Sequence, residues 1–286
     1  MQIGIGLPGT VPGVKAQLLL DWARKADAGP FSSLGSIDRL VYPNYDSLTL
    51  LTASAVTQRI RVMSTVLLAP LHHATILAKQ TATLDALSGG RFTLGLGIGD
   101  RADDYAAVGV SWHERGKRLG AALETMKRVW VGERFSEEVG SIGPFPAQNG
   151  GPEVLIGGST PAAISRLCRW GDGYIAGGTP PEAALKSYQL AEQAWQEAGR
   201  AGQPRFVVAM YWGLGPQAAE RSAQYIQHYY EYKGPMVEQF AHAILTTPQA
   251  VKGAIQAYAD IGVDELICWP CVPELDQVDR LTDLIS

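Results

Sequence analysis

Cysteine is nearly absent: the chain of 286 residues has three, Cys168, Cys268 and Cys271. Thiols so few and so unevenly placed cannot frame a disulfide scaffold, and they fit a reducing compartment. Charge is also sparse, at 18% of residues, and the balance of 24 basic against 28 acidic groups leaves a net −4. Nothing in that balance attracts a polyanion, so a nucleic-acid partner is not expected. No stretch approaches the roughly 18 uninterrupted apolar residues of a membrane span. The start, Met1-Gln2-Ile3-Gly4-Ile5-Gly6, lacks the basic segment and apolar run of a signal peptide. A cytoplasmic protein is therefore expected, without membrane association. What the chain does have is 46% hydrophobic residues, enough for a sizeable core, and 32 glycines whose clustering carries information.

Short apolar or β-branched runs alternate with amphipathic helical stretches along the whole chain. Strands are predicted over 3–7, 31–37, 60–68, 91–96, 154–156, 173–176, 206–212 and 265–269. Between them, helical spacing covers 14–28, 75–87, 115–131, 161–170, 181–198, 217–232 and 248–261, with a further helix capped at Asp46 and running through Leu50, Ala53 and Val56. The Gly- and Pro-rich stretch 140–152 reads as a surface excursion, since the alternation resumes directly after it. Eight such units, counting a terminal segment after Pro273, imply a parallel sheet with helical crossovers. In a chain of this length they suit an α/β fold of the (β/α)8 TIM-barrel type, one domain over residues 1–286.

In such a barrel chemistry sits where the strands end, which narrows the search. Gly157-Gly158-Ser159-Thr160-Pro161 closes one strand and opens a helix, so bare backbone and a helix N-terminus face the mouth together, as in a phosphate cradle. A tight turn that needs glycine for steric reasons is the plainer alternative. A second pair, Gly177-Gly178-Thr179, ends the next strand and favours an anion site between the two. Gly4-Ile5-Gly6-Leu7-Pro8-Gly9 has the spacing of a dinucleotide fingerprint but no strand ahead of it. Its glycines are expected to leave room inside the barrel. Cys268-Trp269-Pro270-Cys271 ends the last strand, where neither a redox dithiol nor a zinc site is expected, and no metal is predicted. His72 and His73 follow Pro70 and read as structural or pocket-lining. Asp38 and Asp100, at two strand ends, are candidate proton carriers, although Asp is also a common turn residue.

The central block carries a further signal. It runs from Arg61-Val62-Met63-Ser64-Thr65-Val66-Leu67-Leu68-Ala69-Pro70 through Leu77-Ala78-Lys79-Gln80 and Leu84-Asp85-Ala86-Leu87-Ser88-Gly89-Gly90-Arg91 to Gly95-Leu96-Gly97 and Asp104-Tyr105. Then come Arg115-Gly116-Lys117-Arg118-Leu119, Val129-Trp130, Gly132-Glu133, Gly157-Gly158 and Gly171-Asp172-Gly173. In this order the motifs resemble the luciferase-like monooxygenase family and its deazaflavin-dependent relatives over roughly residues 1 to 180, and the last third matches in general pattern alone.

The resemblance implies a flavin- or deazaflavin-dependent oxidoreductase, a monooxygenase or a hydride-transfer enzyme. Its cofactor would be FMN or coenzyme F-420, lying across the barrel mouth. Cofactor contacts would come from Leu7, Thr65, Val66, Gly97, Gly157, Gly158, Ser159, Thr160, Gly177, Gly178 and Thr179, with a non-prolyl cis peptide at Thr65-Val66. A small-molecule substrate would meet Arg39, His72, Tyr211, Trp212 and Trp269. Arg39, Arg101 and Arg166 are candidates for the acidic tail of a deazaflavin. Where many relatives carry a histidine after the second strand, this chain offers Asp38 and Arg39; where deazaflavin relatives carry a glutamate, it offers Asp100, the preferred proton carrier. A homodimer through the second and third helices is also implied, with Ala53, Ala55, Ala78, Ala82 and Leu84 as candidate contacts. The alternative is a non-catalytic flavin-binding barrel.

Overall fold

The computed structural model describes residues 1–47 and 49–285, with Leu51 given by its backbone alone. Its strands are β1 (Gln2–Gly6), β2 (Ser33–Ser36), β3 (Arg61–Leu67), β4 (Phe92–Leu96), β5 (Glu153–Gly157), β6 (Gly173–Gly177), β7 (Arg205–Trp212) and β8 (Glu265–Pro270). Each pairs in parallel with the next, and β8 returns to β1, which closes the barrel. The helices are α1 (Ala16–Ala28), α2 (Thr49–Ala55), α3 (Ala74–Leu87), α4 (Ala102–Ala107), α5 (Arg115–Trp130), α6 (Pro161–Trp170), α7 (Pro181–Glu197), α8 (Ala218–Tyr229), α9 (Met236–His242), α10 (Pro248–Asp260) and α11 (Asp276–Ile285). This is the (β/α)8 barrel that the alternation predicts. Among the described residues, no helix is long and apolar enough to cross a membrane.

Alternation along the strands sorts the core into two layers. Met63, Leu155, Ile175, Val207, Ala209, Ile267 and Trp269 fill the barrel interior. Their strand neighbours Val62, Val154, Ile156, Val208, Leu266 and Cys268 point outward against helix residues such as Trp22, Leu77, Leu123 and Trp195. Each large side chain buried in this way contributes roughly 1.5 to 3 kcal/mol. The early glycines play the part expected of them: a Cβ on Gly6 would lie 2.4 Å from the Trp269 ring, and one on Gly35 3.3 Å from it. The indole thus lies across β1 and β2 as the floor of the mouth.

The other end of the barrel is closed by charge. Glu265, fully buried at the start of β8, accepts from Ser33 Oγ at 2.6 Å and from Ser32 Oγ, and pairs with Arg205 at the start of β7. Arg205 also pairs with Glu153 at the start of β5. Glu153 accepts from Thr93 Oγ1 at 2.8 Å, and Thr93 accepts from Arg61 at 2.7 Å. Two guanidinium groups and two carboxylates therefore plug the bottom.

Two elements had no sequence signal. Helix α4 is six residues long with Asp104 and Tyr105 its buried positions, and α9 is seven residues long with Val237, Phe240 and Ala241 only half-buried, so each is too short for its periodicity to stand out. The helix predicted to reach 232 stops at Tyr229, where a short 3-10 turn over Glu231–Lys233 replaces it. Helix α3 ends as expected at Gly89-Gly90, both at positive φ (66° and 79°). Behind it the buried carboxylate of Asp85 accepts from Gln148 N and Nε2, which pins the 140–152 excursion to the barrel wall.

Of the residues expected between subunits, Ala53, Ala78 and Ala82 are buried in the chain's own core and are not available to a partner. Small residues there let α2 and α3 lie close to the strands. Ala55 is exposed and Leu84 half-buried on the same helices.

Candidate active site at the barrel mouth

The mouth is shaped by an irregularity in β3. The pairing of β3 with β4 shifts register between Ser64 and Leu67, and the Thr65-Val66 peptide within it is cis. A Cβ on Gly95 would fall 2.1 Å from Ser64 O, and one on Gly97 2.6 Å from Val66 Cγ2. The Gly95-Leu96-Gly97 motif is therefore the space that this bulge occupies. Gly97 itself is buried under Val66 and does not border the cavities of the mouth.

Above the bulge lies a cavity of about 230 Å³, bordered by Asp38, Arg39, Thr65, Val66, Asp100, Arg101, Asp104, Gly177, Gly178, Tyr211 and Trp269, and closed by Tyr229, Tyr230 and Tyr232. A second cavity of about 520 Å³ shares Asp100, Gly177, Gly178, Tyr211 and Tyr230 with it and reaches between β6, β7 and α8 to α10. Asp38 Oδ2 accepts from Leu68 N at 2.8 Å and lies 3.8 Å from His72 Nε2, so it fixes the segment that follows the bulge. Asp104 accepts from Val41 N at 2.7 Å and approaches Arg101 to 3.8 Å. Asp100 is on the rim with its side chain 56% exposed, accepting from Tyr232 Oη at 2.8 Å and paired with Lys233.

The tyrosines form a wall. Tyr211 and Tyr230 share a hydrogen bond of 2.8 Å, Tyr225 bonds Thr10 at 2.6 Å, and Tyr229 stacks edge-on to Tyr42 and Tyr230. Burial holds the phenols of Tyr211, Tyr225 and Tyr229 well above their ordinary pKa. Tyr232 is raised by burial first and then by its bond to Asp100, so it remains a donor at neutral pH.

The two glycine turns differ. Gly158 has φ 109° and lies where a Cβ would come 3.2 Å from Ala163, so the turn itself requires glycine. Gly177 has no such reason: it is exposed, its φ is outside the positive region, and nothing lies within 4 Å of where a Cβ would be. Gly178 N is engaged with Ala209 O at 2.9 Å, and Thr179 Oγ1 bonds Gly177 O at 2.9 Å. Thr160 caps α6 by accepting from Ala163 N, and Ser159 beside it is exposed. Gly157 pairs with Ile175 of β6, so the first turn is next to the second; Gly177, Gly178 and Thr179 border the larger cavity.

Three expected pocket residues lie elsewhere. Leu7 and Trp212, 2% and 0% exposed, belong to the outer layer between strands and helices. Strand parity explains this: Gly6 and Tyr211 face inward, so their neighbours face out. His72 contacts Asp38 from behind and borders the groove against α2 and α3. Arg166 packs over Gly116 at the start of α5. Cys268 and Cys271 are buried in separate clusters, and burial pushes both thiols up, so neither is reactive. Tyr229, Tyr230 and Tyr232 were not anticipated, although four tyrosines within residues 225–232 are a signal in plain view.

A model of the luciferase-like monooxygenase family matches residues 1–265. The chain belongs to this family. Among its relatives is an uncharacterized protein of Mycobacterium tuberculosis, 28% identical over 206 residues, which are 62% of this chain and 71% of that one. The coenzyme F-420-dependent tetrahydromethanopterin reductase of Methanopyrus kandleri superposes with a TM-score of 0.79 at 18% identity, over 99% of this chain and 98% of that one. The oxygenating constituent of 3,6-diketocamphane monooxygenase from Pseudomonas putida, a type II Baeyer-Villiger monooxygenase in complex with FMN, gives a TM-score of 0.75 at 17% identity, over 100% of this chain and 96% of that one. At such identities these two are likenesses of fold.

Proposed function

We propose that this luciferase-like chain is an oxidoreductase that binds FMN or coenzyme F-420 at the mouth and acts on a small organic substrate. The observation that carries the reading is Gly177: glycine without a steric or conformational need, at a strand end beside a helix N-terminus, leaves backbone open to a close approach. Proteins of the same fold, one in complex with FMN and one dependent on coenzyme F-420, support it. The phosphate would meet the backbone of Gly157 and Gly158 and the hydroxyls of Ser159, Thr160 or Thr179. Thr65, Val66 and Trp269 offer the apolar floor for a planar ring. When bound, such a cofactor supplies hydride transfer or, with FMN, activation of oxygen.

The chain's own residues do the rest. Tyr211, Tyr229 and Tyr230 shield the site from water, and Asp38 holds the bulge in place through Leu68 N. Asp100 takes up or returns a proton at the rim, with Tyr232 donating to it. Asp100→Asn keeps an acceptor for Tyr232 and removes the titrating group. Turnover is expected to fall roughly 10²-fold or more, with cofactor affinity nearly unchanged. Near-normal turnover would pass the role to Asp38 or to solvent, and a failure to oxidise reduced cofactor with any substrate would favour a non-catalytic flavin-binding barrel. A cytoplasmic homodimer through α2 and α3 belongs to the same reading, its outer face now resting on Ala55, Ile76, Leu84 and Leu87. Sedimentation is expected to give twice the chain mass at micromolar concentration; monomer alone would remove the dimer.

A further inference from the structure

Arg39 is a buried cation without a counter-ion. It is 6% exposed, and among the described residues no carboxylate pairs with it. Its Nη1 donates to Tyr229 O at 2.7 Å, and its guanidinium lies over the rings of Tyr42 at 4.0 Å and Tyr229 at 4.6 Å. Its Nε is buried with no partner. These two π faces, a third and more distant one from Tyr232 at 5.8 Å, and one carbonyl offset part of the cost of burying a guanidinium, and no anion among the described residues offsets the rest.

The neighbouring carboxylates pair with other groups. Asp38 and Asp104 border the same cavity and remain anions, each accepting from a backbone N-H, and Asp104, whose Oδ2 is buried without a hydrogen-bond donor, lies 3.8 Å from Arg101 rather than beside Arg39. Asp100 is neutralised by Lys233, and Arg101 by Asp103. Of these three cations, Arg39 is the one that no carboxylate reaches within ion-pair distance among the described residues. A guanidinium does not titrate in the working range, so proton transfer is not its task; its planar fork recognises oxyanions.

Beyond Tyr211 and Tyr230 the larger cavity is walled by Ile226, Phe240, Ile244 and Leu245, which favour an apolar occupant. Resting on the oxidoreductase reading above, we infer that the substrate is an organic acid. Its carboxylate or comparable oxyanion sits at Arg39, and its apolar body extends past Tyr211 and Tyr230 into the larger cavity.

The test is calorimetric titration of the purified, cofactor-free chain with benzoate, benzamide and 4-butylbenzoate. Benzoate is expected to bind at least about tenfold more tightly than benzamide, the margin of a hydrogen bond to a charged group. The butyl group is expected to add at least about another tenfold. Arg39→Met should erase the preference for benzoate over benzamide, and Arg39→Lys should keep part of it as a point charge. Equal binding of benzoate and benzamide to the unmodified chain overturns the inference, whatever the variants do. So does an unchanged preference in a folded Arg39→Met protein. Saturation with FMN is expected to leave the preference in place; displacement of benzoate by FMN would assign Arg39 to the cofactor and end the substrate claim. If neither FMN nor coenzyme F-420 binds, the oxidoreductase reading fails, and the benzoate comparison still decides the anion site.

Discussion

Replacing Arg205 with methionine is expected to destabilise the barrel by about 3 to 5 kcal/mol, the cost of leaving a buried charge without its partner. Glu265, fully buried, would keep its two serine donors and lose its guanidinium, and Glu153 would retain Arg61 at 3.8 Å. For a chain of this size the melting temperature should fall by roughly 6 to 10 °C. Adding Glu265→Gln should return part of the loss, because the amide still accepts from Ser32 and Ser33 and no longer carries a charge. The network lies at the opposite end from the cavities, so cofactor affinity in the folded variant should be unchanged. A melting temperature within about 2 °C of the parent would mean that Glu265 finds compensation elsewhere.

That network was invisible in the sequence, and the reason is physical. Glu265, Arg205, Glu153 and Arg61 each open a strand, where a charged residue reads as a solvated strand end; only barrel closure brings four such ends together. The barrel itself was legible because β3, β4 and β7 are compact apolar runs bounded by glycine and helix starts. At the mouth, the Thr65-Val66 cis peptide came through family resemblance, and the bulge around it, with its dependence on Gly95 and Gly97, needed coordinates. Tyr211 and Trp212 show what strand parity could have settled in advance, since two adjacent strand residues cannot both face the mouth. The cluster of Tyr229, Tyr230 and Tyr232 is visible in the sequence, but its place over the mouth depends on how the end of α8 and the segment after it fold back over the strands, and local pattern does not carry this information.

Gly177→Val is expected to weaken binding of the phosphate-bearing cofactor by at least about 100-fold. The substitution puts a branched side chain where backbone approach is proposed, at a position where an added Cβ has no non-neighbouring atom within 4 Å. The backbone there is not in the positive-φ region, so strain does not confound the result. Stability should change by less than about 0.5 kcal/mol, as for other exposed positions. Gly158→Val would be the poorer test, since φ 109° and the nearby Ala163 make it disruptive whether or not a ligand binds.

The most direct measurement of the central claim uses the same variant. FMN, riboflavin and coenzyme F-420 would be titrated into the parent chain and into Gly177→Val, following quenching of the cofactor's fluorescence. The account predicts saturable binding of FMN or coenzyme F-420 to the parent and loss of that binding in Gly177→Val with the melting temperature preserved. If FMN is the cofactor, riboflavin, which lacks the phosphate, should bind at least about tenfold more weakly, the worth of charge-assisted hydrogen bonds at a helix N-terminus. Riboflavin binding as tightly as FMN, or unchanged cofactor affinity in the folded variant, would contradict the glycine-turn site, and no binding of either cofactor to the parent would contradict the account as a whole.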